Sequence, residues 1–192
     1  MLKTALHYSH DLLKEVVTEG DLVIDGTVGN GNDTLFLAEL VGETGTVIGF
    51  DVQEQAIQTT QTKLDEAGLN KQVALYQQGH ETLAHVIPSD KKVKAAIFNL
   101  GYLPKSDKTI ITQSHTTLKA LADLLELTED LGRIIVVIYY GHDGGEIEKE
   151  AVLDFVRQIP QTQCNVLSYQ FINQKNNPPI LITIEKKSQK IN

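Results

Sequence analysis

The sequence predicts an α/β domain in which helices cover both faces of a mostly parallel, seven-stranded sheet. Short apolar runs alternate with helical patterns through most of the chain, which is the arrangement that produces a parallel sheet. The first apolar run ends in an acid and a glycine-rich turn, and the last two runs have no helix between them. With 192 residues and 41% hydrophobic content, the chain can bury the core of one such domain over residues 1–192.

The elements follow from hydrophobic spacing. Apolar residues at helical spacing predict an opening helix over 4–18, and we expect residues 1–20 to pack it near the ligand cleft. Five strands are expected near 22–25, 46–50, 72–76, 93–98 and 133–139, with helices at about 33–41, 53–67, 81–87, 112–129 and 146–158. The last strands, near 163–171 and 179–186, are joined by a short link and should form an antiparallel hairpin.

Composition limits the classes of function. The single cysteine, Cys164, excludes an intramolecular disulfide and a cysteine-based zinc cluster, and we expect it to be a small buried residue of a late strand. No stretch approaches the ~20 apolar residues of a membrane span, and the N-terminus lacks the apolar core of a secretion signal. We therefore expect a cytoplasmic protein without a membrane partner.

The net charge of −8 counts against a nucleic-acid substrate without excluding one, because the charge is uneven. Five lysines flank the fourth predicted strand: Lys91, Lys92, Lys94, Lys105 and Lys108. They form either a rim that contacts phosphate or an ordinary solvated loop face. A homodimer would combine two such weak basic surfaces.

A glycine-rich turn follows the first predicted strand, where residues 25–33 are DGTVGNGND. The glycine order is G-x-x-G-x-G, whereas dinucleotide-binding folds use G-x-G-x-x-G. An acid and two asparagines around the turn suit a ligand with an ammonium, a carboxylate and a sulfonium, such as S-adenosylmethionine (SAM). We expect this region to bind SAM, its methionine end above all, through Asp25, Thr27, Val28, Gly29, Asn30, Gly31, Asn32 and Asp33.

Two further segments are candidates for the adenosine half of that cofactor. The second strand ends in Asp51, where these folds bind ribose hydroxyls, and we expect Asp51 and Gln53 to do so. The alternative is that Asp51 only caps the following helix. Gly79 and His80 lie in the next crossover, beside the expected adenine, unless they simply open a helix.

The substrate side of the site is predicted at the ends of the fourth and fifth strands. Residues 99–104, NLGYLP, are similar to the N/D-P-P-Y/F motif of amino-group methyltransferases, with Leu100 and Gly101 in place of the prolines. In that motif the amide accepts hydrogen bonds from the target N–H groups, and the aromatic residue walls the target. Asn99 is then expected beside both the methyl group and the substrate, with Tyr102 as the wall; a plain turn is the alternative.

After the fifth strand, Tyr140 and His142 stand in a glycine-containing loop that should border the same cleft. We expect them to contact substrate, although an ordinary glycine loop would also explain this segment. His7 and His10 are one helical turn apart, but with no third ligand in sight we expect no metal site.

Five segments together resemble one bacterial family, the small class I SAM-dependent methyltransferases labelled "putative rRNA methylase". They are 5–7, 25–38, 99–104, 140–145 and 177–179, and the resemblance covers essentially the whole chain. The family has Ala after the first acid, where this chain has Gly26, a change expected to loosen the turn slightly. The family includes the tRNA 5-aminomethyl-2-thiouridine methyltransferase.

The resemblance implies the class I methyltransferase (Rossmann-like) fold and methyl transfer from SAM to the exocyclic amine of 5-aminomethyl-2-thiouridine. That base is at the wobble position, so the implied partner is the anticodon stem-loop of tRNA. Asn99, Tyr102 and His142 are the implied catalytic residues. Other substrates, rRNA or a small-molecule amine, remain open, as do an NAD-dependent oxidoreductase and a non-catalytic binding domain.

Overall fold

The computed structural model describes residues 1–101 and 111–188. The helices are α1 (Ala5–Lys14), α2 (Asn32–Val41), α3 (Glu54–Ala67), α4 (Leu83–Val86), α5 (Ser114–Leu127) and α6 (Gly145–Arg157). The strands are β1 (Leu22–Asp25), β2 (Thr46–Phe50), β3 (Val73–Tyr76), β4 (Val93–Leu100), β5 (Thr128–Ile138), β6 (Cys164–Tyr169) and β7 (Ile180–Lys186). Short 3-10 turns precede β3 and α4, at Asn70–Gln72 and His80–Thr82.

The strands form one sheet in the order β3-β2-β1-β4-β5-β7-β6. Neighbours from β3 to β5 are parallel, and β7 lies antiparallel between β5 and β6. The predicted sheet with its terminal antiparallel hairpin is therefore confirmed. From β1 the chain adds β2 and β3 on one side of the sheet and then crosses to add β4 on the other side. Such a reversal of strand order opens a crevice at the carboxyl ends of β1 and β4.

Side chains alternate between two cores, one on each face of the sheet. In β5, Ile134 and Val136 face the core shared with α4, α5 and α6, while Ile135 and Val137 face the core shared with α1, α2 and α3. Both faces are covered, which explains why β4 and β5 have continuous apolar runs rather than an apolar-polar alternation. The expected helices on both faces are confirmed, and Cys164 is buried as predicted.

Several element ends differ from the predictions. The opening helix, expected over 4–18, ends at Lys14, and β4, expected to end near 98, continues to Leu100. β5 starts at Thr128, directly after α5, instead of near 133. Its register against β4 shifts between Val93 and Ala95, and Leu131 has a left-handed φ of 62°. This irregular start of β5 replaces the last two residues of the helix predicted over 112–129 and the unassigned residues after it. The helix expected at 81–87 is a 3-10 turn followed by one α-helical turn. Within the two described ranges, no helix is both long and apolar enough to cross a membrane.

Candidate active site

A cavity of about 810 Å³ lies at the carboxyl ends of the parallel strands. The ends of β2 and β4 and the segments that directly follow β1 and β5 contribute lining residues, and the crossover after β3 adds a further wall. Leu6 of α1 and the link between β6 and β7 complete the lining. That residues 1–20 pack near a cofactor cleft stays a prediction.

Most of the predicted site residues line this one cavity: Thr27, Val28, Gly29, Asn30, Asn32, Asp33, Asp51, Gln53, Gly79, His80, Asn99, Tyr140 and His142. Asp25 and Gly31 do not line it, and Tyr102 lies outside the described residues. Tyr139, Thr112 and Thr116 also line the cavity, and none of them is among the predicted site residues, although Tyr139 begins the aromatic segment expected to border the cleft. Only Tyr139 had a signal, as the neighbour of Tyr140 at the end of an apolar strand.

The carboxylate of Asp25 is fully buried beneath the glycine turn. It accepts hydrogen bonds from the backbone N–H of Thr27 at 3.1 Å and from Oγ1 of Thr34 at 2.6 Å. Burial and the negative charge of Asp33 raise the pKa of Asp25 to about 7, against an ordinary 3.8. Asp25 therefore shapes the turn from below, and a direct cofactor contact by its side chain is not what this geometry offers.

Asp51 connects the turns after β1 and β2. Its carboxylate accepts from the backbone N–H of Gly29 at 2.8 Å and from that of Gln53 at 2.9 Å. The N-cap residue of α3 is Gln53, so Asp51 is not the helix cap that the alternative interpretation required. Each carboxylate oxygen keeps a further lone pair for a ligand hydroxyl.

Two glycines give the first turn its shape. Gly29 and Gly31 have φ angles of 53° and 79°, in the left-handed region that disfavours a Cβ. A Cβ on Gly31 would stand 2.6 Å from Oγ1 of the buried Thr60. The ring of Phe98 packs directly against Gly26, where a Cβ would collide with it, so this glycine makes room for an aromatic ring. That Gly26 also loosens the turn stays a prediction.

His80 is buried next to Phe98. The centroids of the two rings are 5.3 Å apart, and the rings meet edge to face. Its Nδ1 is 2.9 Å from the carbonyl oxygen of Gly26, and because a carbonyl only accepts, Nδ1 carries the hydrogen. Burial lowers the pKa of His80 below its ordinary 6.5. Among the described residues, nothing bonds its Nε2, so His80 is a neutral ring with an unused acceptor.

Asn99 is the penultimate residue of β4, not part of a plain turn. Its backbone N–H donates to Oγ1 of Thr27 at 2.7 Å, and its Nδ2 donates to Oδ2 of Asp33 at 2.5 Å. The other oxygen of Asp33 is 2.6 Å from Nε2 of His10 in α1. Three elements, β4, α2 and α1, thus meet at one carboxylate.

Aromatic residues that follow β5 line one part of the cavity. Burial and the charge of Asp33 raise the pKa of Tyr139, so its phenol stays protonated. The Lys149 ammonium lies 4.6 Å from the centre of the Tyr140 ring, an attractive cation–π distance. The Nδ1 atom of His142 lies 2.9 Å from the carbonyl oxygen of Asp143.

Buried Glu148 of α6 bonds to Thr112, one of the residues that line the cavity. It accepts hydrogen bonds from the hydroxyls of Thr112 at 2.5 Å and Thr117 at 2.7 Å. Thr112 in turn accepts from the backbone N–H of Gly101 at 2.9 Å and donates its own N–H to the Gly101 carbonyl at 3.0 Å. These bonds hold Gly101 beside Thr112.

The lysines before β4 do not border the cavity. Lys91, Lys92 and Lys94 lie at the amino end of β4, whereas the cavity lies at its carboxyl end, about 20 Å away for a strand of this length. Lys94 pairs with Glu129 at 2.7 Å, and Lys92 donates to a backbone carbonyl of α5. A phosphate-contacting rim at this cavity is therefore not formed by these three; Lys105 and Lys108 lie outside the described residues.

The two N-terminal histidines have separate partners. His7 Nδ1 lies 2.9 Å from Oγ1 of Thr4, the N-cap of α1, while His10 reaches Asp33. In the described part of the chain, no group of three or more histidines, cysteines or acids is placed to hold a metal ion.

Comparisons with known proteins agree with this fold and cavity. The profile of a family described as "Putative rRNA methylase" matches residues 47–185. An Arabidopsis thaliana relative, "tRNA (mnm(5)s(2)U34)-methyltransferase, chloroplastic", is 35% identical over 194 residues, which cover 97% of this chain and 71% of the relative.

Solved structures are similar over nearly the whole chain. A Clostridium thermocellum structure described as "putative rRNA-methylase" is 50% identical, with a TM-score of 0.94, covering 97% of this chain and 99% of that one. A Streptococcus mutans "putative methyltransferase", solved in complex with SAH, is 44% identical with a TM-score of 0.89 and the same coverage. The class I methyltransferase fold predicted from the sequence is confirmed, and the chain belongs to the family described as "Putative rRNA methylase".

Proposed function

We propose that this protein transfers the methyl group of SAM to the exocyclic amine of 5-aminomethyl-2-thiouridine at the tRNA wobble position, giving 5-methylaminomethyl-2-thiouridine. The observation that carries the proposal is Asn99, which lines the cavity at the end of β4 with its amide nitrogen already bonded to Asp33. The name of the Arabidopsis relative supports this substrate.

The cavity fits SAM in size and in the chemistry of its walls. About 810 Å³ is within the range of pockets that bury a small molecule and leaves room for a base beside it. In our proposal the turn of Thr27 to Asn30 holds the methionine end, Asp51 and Gln53 hold the ribose, and the adenine lies beside Gly79 and His80. The S. mutans structure in complex with SAH supports this choice of cofactor.

Asp25 and Gly31 act differently from the other residues of that turn. Since neither lines the cavity, we assign them to the shape of the turn: Asp25 through its bonds to Thr27 and Thr34, and Gly31 through its left-handed backbone. Asp33 lines the cavity, but both its oxygens already have protein partners.

When bound, SAM supplies an electrophilic methyl group on a sulfonium. The substrate amine has an ordinary pKa of roughly 10 and arrives as an ammonium, so it must first release a proton to solvent. Its nitrogen can then form a bond to the methyl carbon as the bond from that carbon to sulfur breaks and SAH leaves. Tyr139 and Tyr140 line the cavity, and in this scheme an amine bound against their rings loses part of its water, which lowers its pKa. Asn99 then accepts a hydrogen bond from the amine N–H, which leaves the lone pair directed at the methyl group. Positioning and desolvation, with His142 and Tyr102 shaping the pocket, carry the reaction in this scheme.

The acidic composition favours one other substrate class. A net charge of −8 is unusual for a protein that binds RNA and suits a small-molecule amine better, with rRNA as a further candidate. Recognition of the anticodon stem-loop, a homodimer and the cytoplasmic location stay predictions.

The decisive experiment supplies methyl-labelled SAM and tRNA from cells that lack the activity, followed by digestion to nucleosides and mass spectrometry. We expect labelled 5-methylaminomethyl-2-thiouridine with the wild type and its loss with Asn99→Ala. If SAM binds and no RNA is labelled, the tRNA proposal is wrong and small amines are screened next. Thermal protection by NAD but not by SAM would instead support an oxidoreductase.

A further inference from the structure

The carboxylate of Asp33 joins the N-terminal helix to the residue that faces the substrate. Its residue exposure is 7%, and its two oxygens have different partners: Oδ1 lies 2.6 Å from Nε2 of His10, and Oδ2 accepts from Nδ2 of Asn99 at 2.5 Å. These partners come from α1 and β4, 23 and 66 positions away in the chain. The arrangement is thus built by the fold and not by local sequence.

The chemistry of this contact leaves Asn99 only one orientation. An asparagine amide can rotate by half a turn with almost no change in shape, which exchanges its donor and acceptor ends. An ionised carboxylate has no hydrogen to give, so the NH₂ end must face Asp33. The acceptor of the side chain, Oδ1, then faces away from Asp33, and among the described residues nothing donates to it.

We infer that Asp33 is a positioning residue that fixes the amide of Asn99 with its carbonyl oxygen toward the substrate amine, and that His10 holds Asp33 in place. This inference rests on the proposed function of Asn99. With the amide reversed, an N–H of Asn99 would face an N–H of the amine, and the lone pair would no longer be directed at the methyl group.

His10 is itself held in position. Its ring stacks on Phe36 of α2 at a centroid distance of 4.0 Å and an interplanar angle of 7°. Its side chain is only 25% exposed. Because Nε2 faces a carboxylate, it is the donor in this bond. Through this bond α1 contributes directly to the position of Asp33.

Two substitutions and their combination test the inference. Asp33→Asn keeps the shape but lets Asn99 reverse, and we expect kcat to fall about 100-fold with little change in SAM affinity. Asn99→Asp sets two carboxylates against each other and should also be poorly active. In the double variant, the amide introduced at position 33 donates to the carboxylate introduced at position 99, whose second oxygen again offers an acceptor to the amine. We expect the double variant to be at least about 10-fold more active than either single variant.

Asp11→Asn is the matched control, because it removes a partly exposed acid of α1 whose carboxylate, among the described residues, pairs with Lys3 alone, and it should keep wild-type kcat. His10→Phe keeps a ring against Phe36 but loses the donor, and we expect a smaller loss of about 10-fold. SAM titration and thermal unfolding establish that each variant is folded.

A readout independent of turnover is the side-chain amide of Asn99 in ¹⁵N-labelled protein. One of its protons should exchange slowly with solvent in the wild type and rapidly in Asp33→Asn. Wild-type kcat for Asp33→Asn, multiplicative losses in the double variant, or an amide unaffected by Asp33→Asn would each overturn the inference. If the wild type itself fails on tRNA, the proposed function is wrong, whereas the amide measurement still decides the orientation of Asn99.

Discussion

Nδ1 of His80 donates a hydrogen bond to the carbonyl oxygen of Gly26 over 2.9 Å, which ties the turn after β3 to the turn after β1. Burial lowers the pKa of His80 by more than this bond and the nearby acids raise it. The neutral ring is therefore part of the folded structure, and charging it opposes folding.

This arrangement predicts that acid destabilises the protein through His80. Below an ordinary pKa of 6.5, the unfolded chain binds a proton at this residue that the folded chain does not, so stability is lost as pH falls. His80→Gln should remove that component. We would measure the free energy of unfolding in urea between about pH 5 and pH 7.5. His85→Gln, at an exposed histidine of α4, should keep the wild-type slope; equal slopes for all three proteins would contradict the prediction.

Asp25 predicts the opposite pH dependence. Its pKa is raised from 3.8 to about 7 on folding, so between these values the folded chain holds a proton that the unfolded chain has released. Stability contributed by this group is greatest below pH 3.8 and is lost as pH rises to about 7, by on the order of 4 kcal/mol in total. In Asp25→Asn, Nδ2 can donate to the Thr34 hydroxyl, so the variant should fold.

The measurement is the difference in unfolding free energy between wild type and Asp25→Asn at several pH values. We expect the wild type to lose stability relative to the variant as pH increases from about 4 to 7. A constant difference across this interval would show that the Asp25 carboxylate titrates alike in both states.

A side chain at Gly31 should destabilise the fold by crowding Thr60, and Gly68, which has a similar φ angle but open space, separates this effect from backbone strain. Gly31→Ala introduces a Cβ at a φ of 79° and 2.6 Å from the buried Thr60 hydroxyl. Gly68, with a φ of 70°, has nothing within 4 Å of its Cβ position. We expect Gly68→Ala to cost about 1 kcal/mol from backbone strain alone, and Gly31→Ala to cost about 1–3 kcal/mol more from overpacking. Urea unfolding measures both, and equal losses would mean that the contact with Thr60 relaxes freely.

Loss of the Asp51 carboxylate should weaken SAH binding only when the ligand has its ribose hydroxyls. Asp51→Asn replaces one acceptor with a donor, and we expect SAH to bind about 10-fold more weakly, the cost of one hydrogen bond to a charged group. Binding of a 2′,3′-dideoxy analogue of SAH should change much less. Calorimetric titration of both ligands checks this, with Asp65→Asn at the exposed end of α3 as control. Equal losses for the two ligands would show that Asp51 acts only through Gly29 and Gln53.

The local sequence pattern was sufficient to predict the strands and helices and to place the candidate site at one edge of the sheet. Apolar periodicity located all seven strands and the helices between them. A helix that buries one stripe has apolar residues at helical spacing, and a strand that is covered on both faces is a continuous apolar run, so both can be recognised in the sequence. Periodicity failed at the start of β5, where an irregular register and a left-handed Leu131 follow from pairing with β4.

The sequence by itself determined that a glycine turn, an acid after β2 and an asparagine near the end of β4 would meet at one edge of a parallel sheet. Only the tertiary structure decided what each group does there. Asp25 and Asp33 flank the same short turn in similar polar surroundings, yet one is sealed beneath the turn and the other bridges His10 and Asn99. The reason is physical: hydrophobic period sets which backbone segments are neighbours, whereas burial and hydrogen-bond partners depend on side chains that approach from distant parts of the chain.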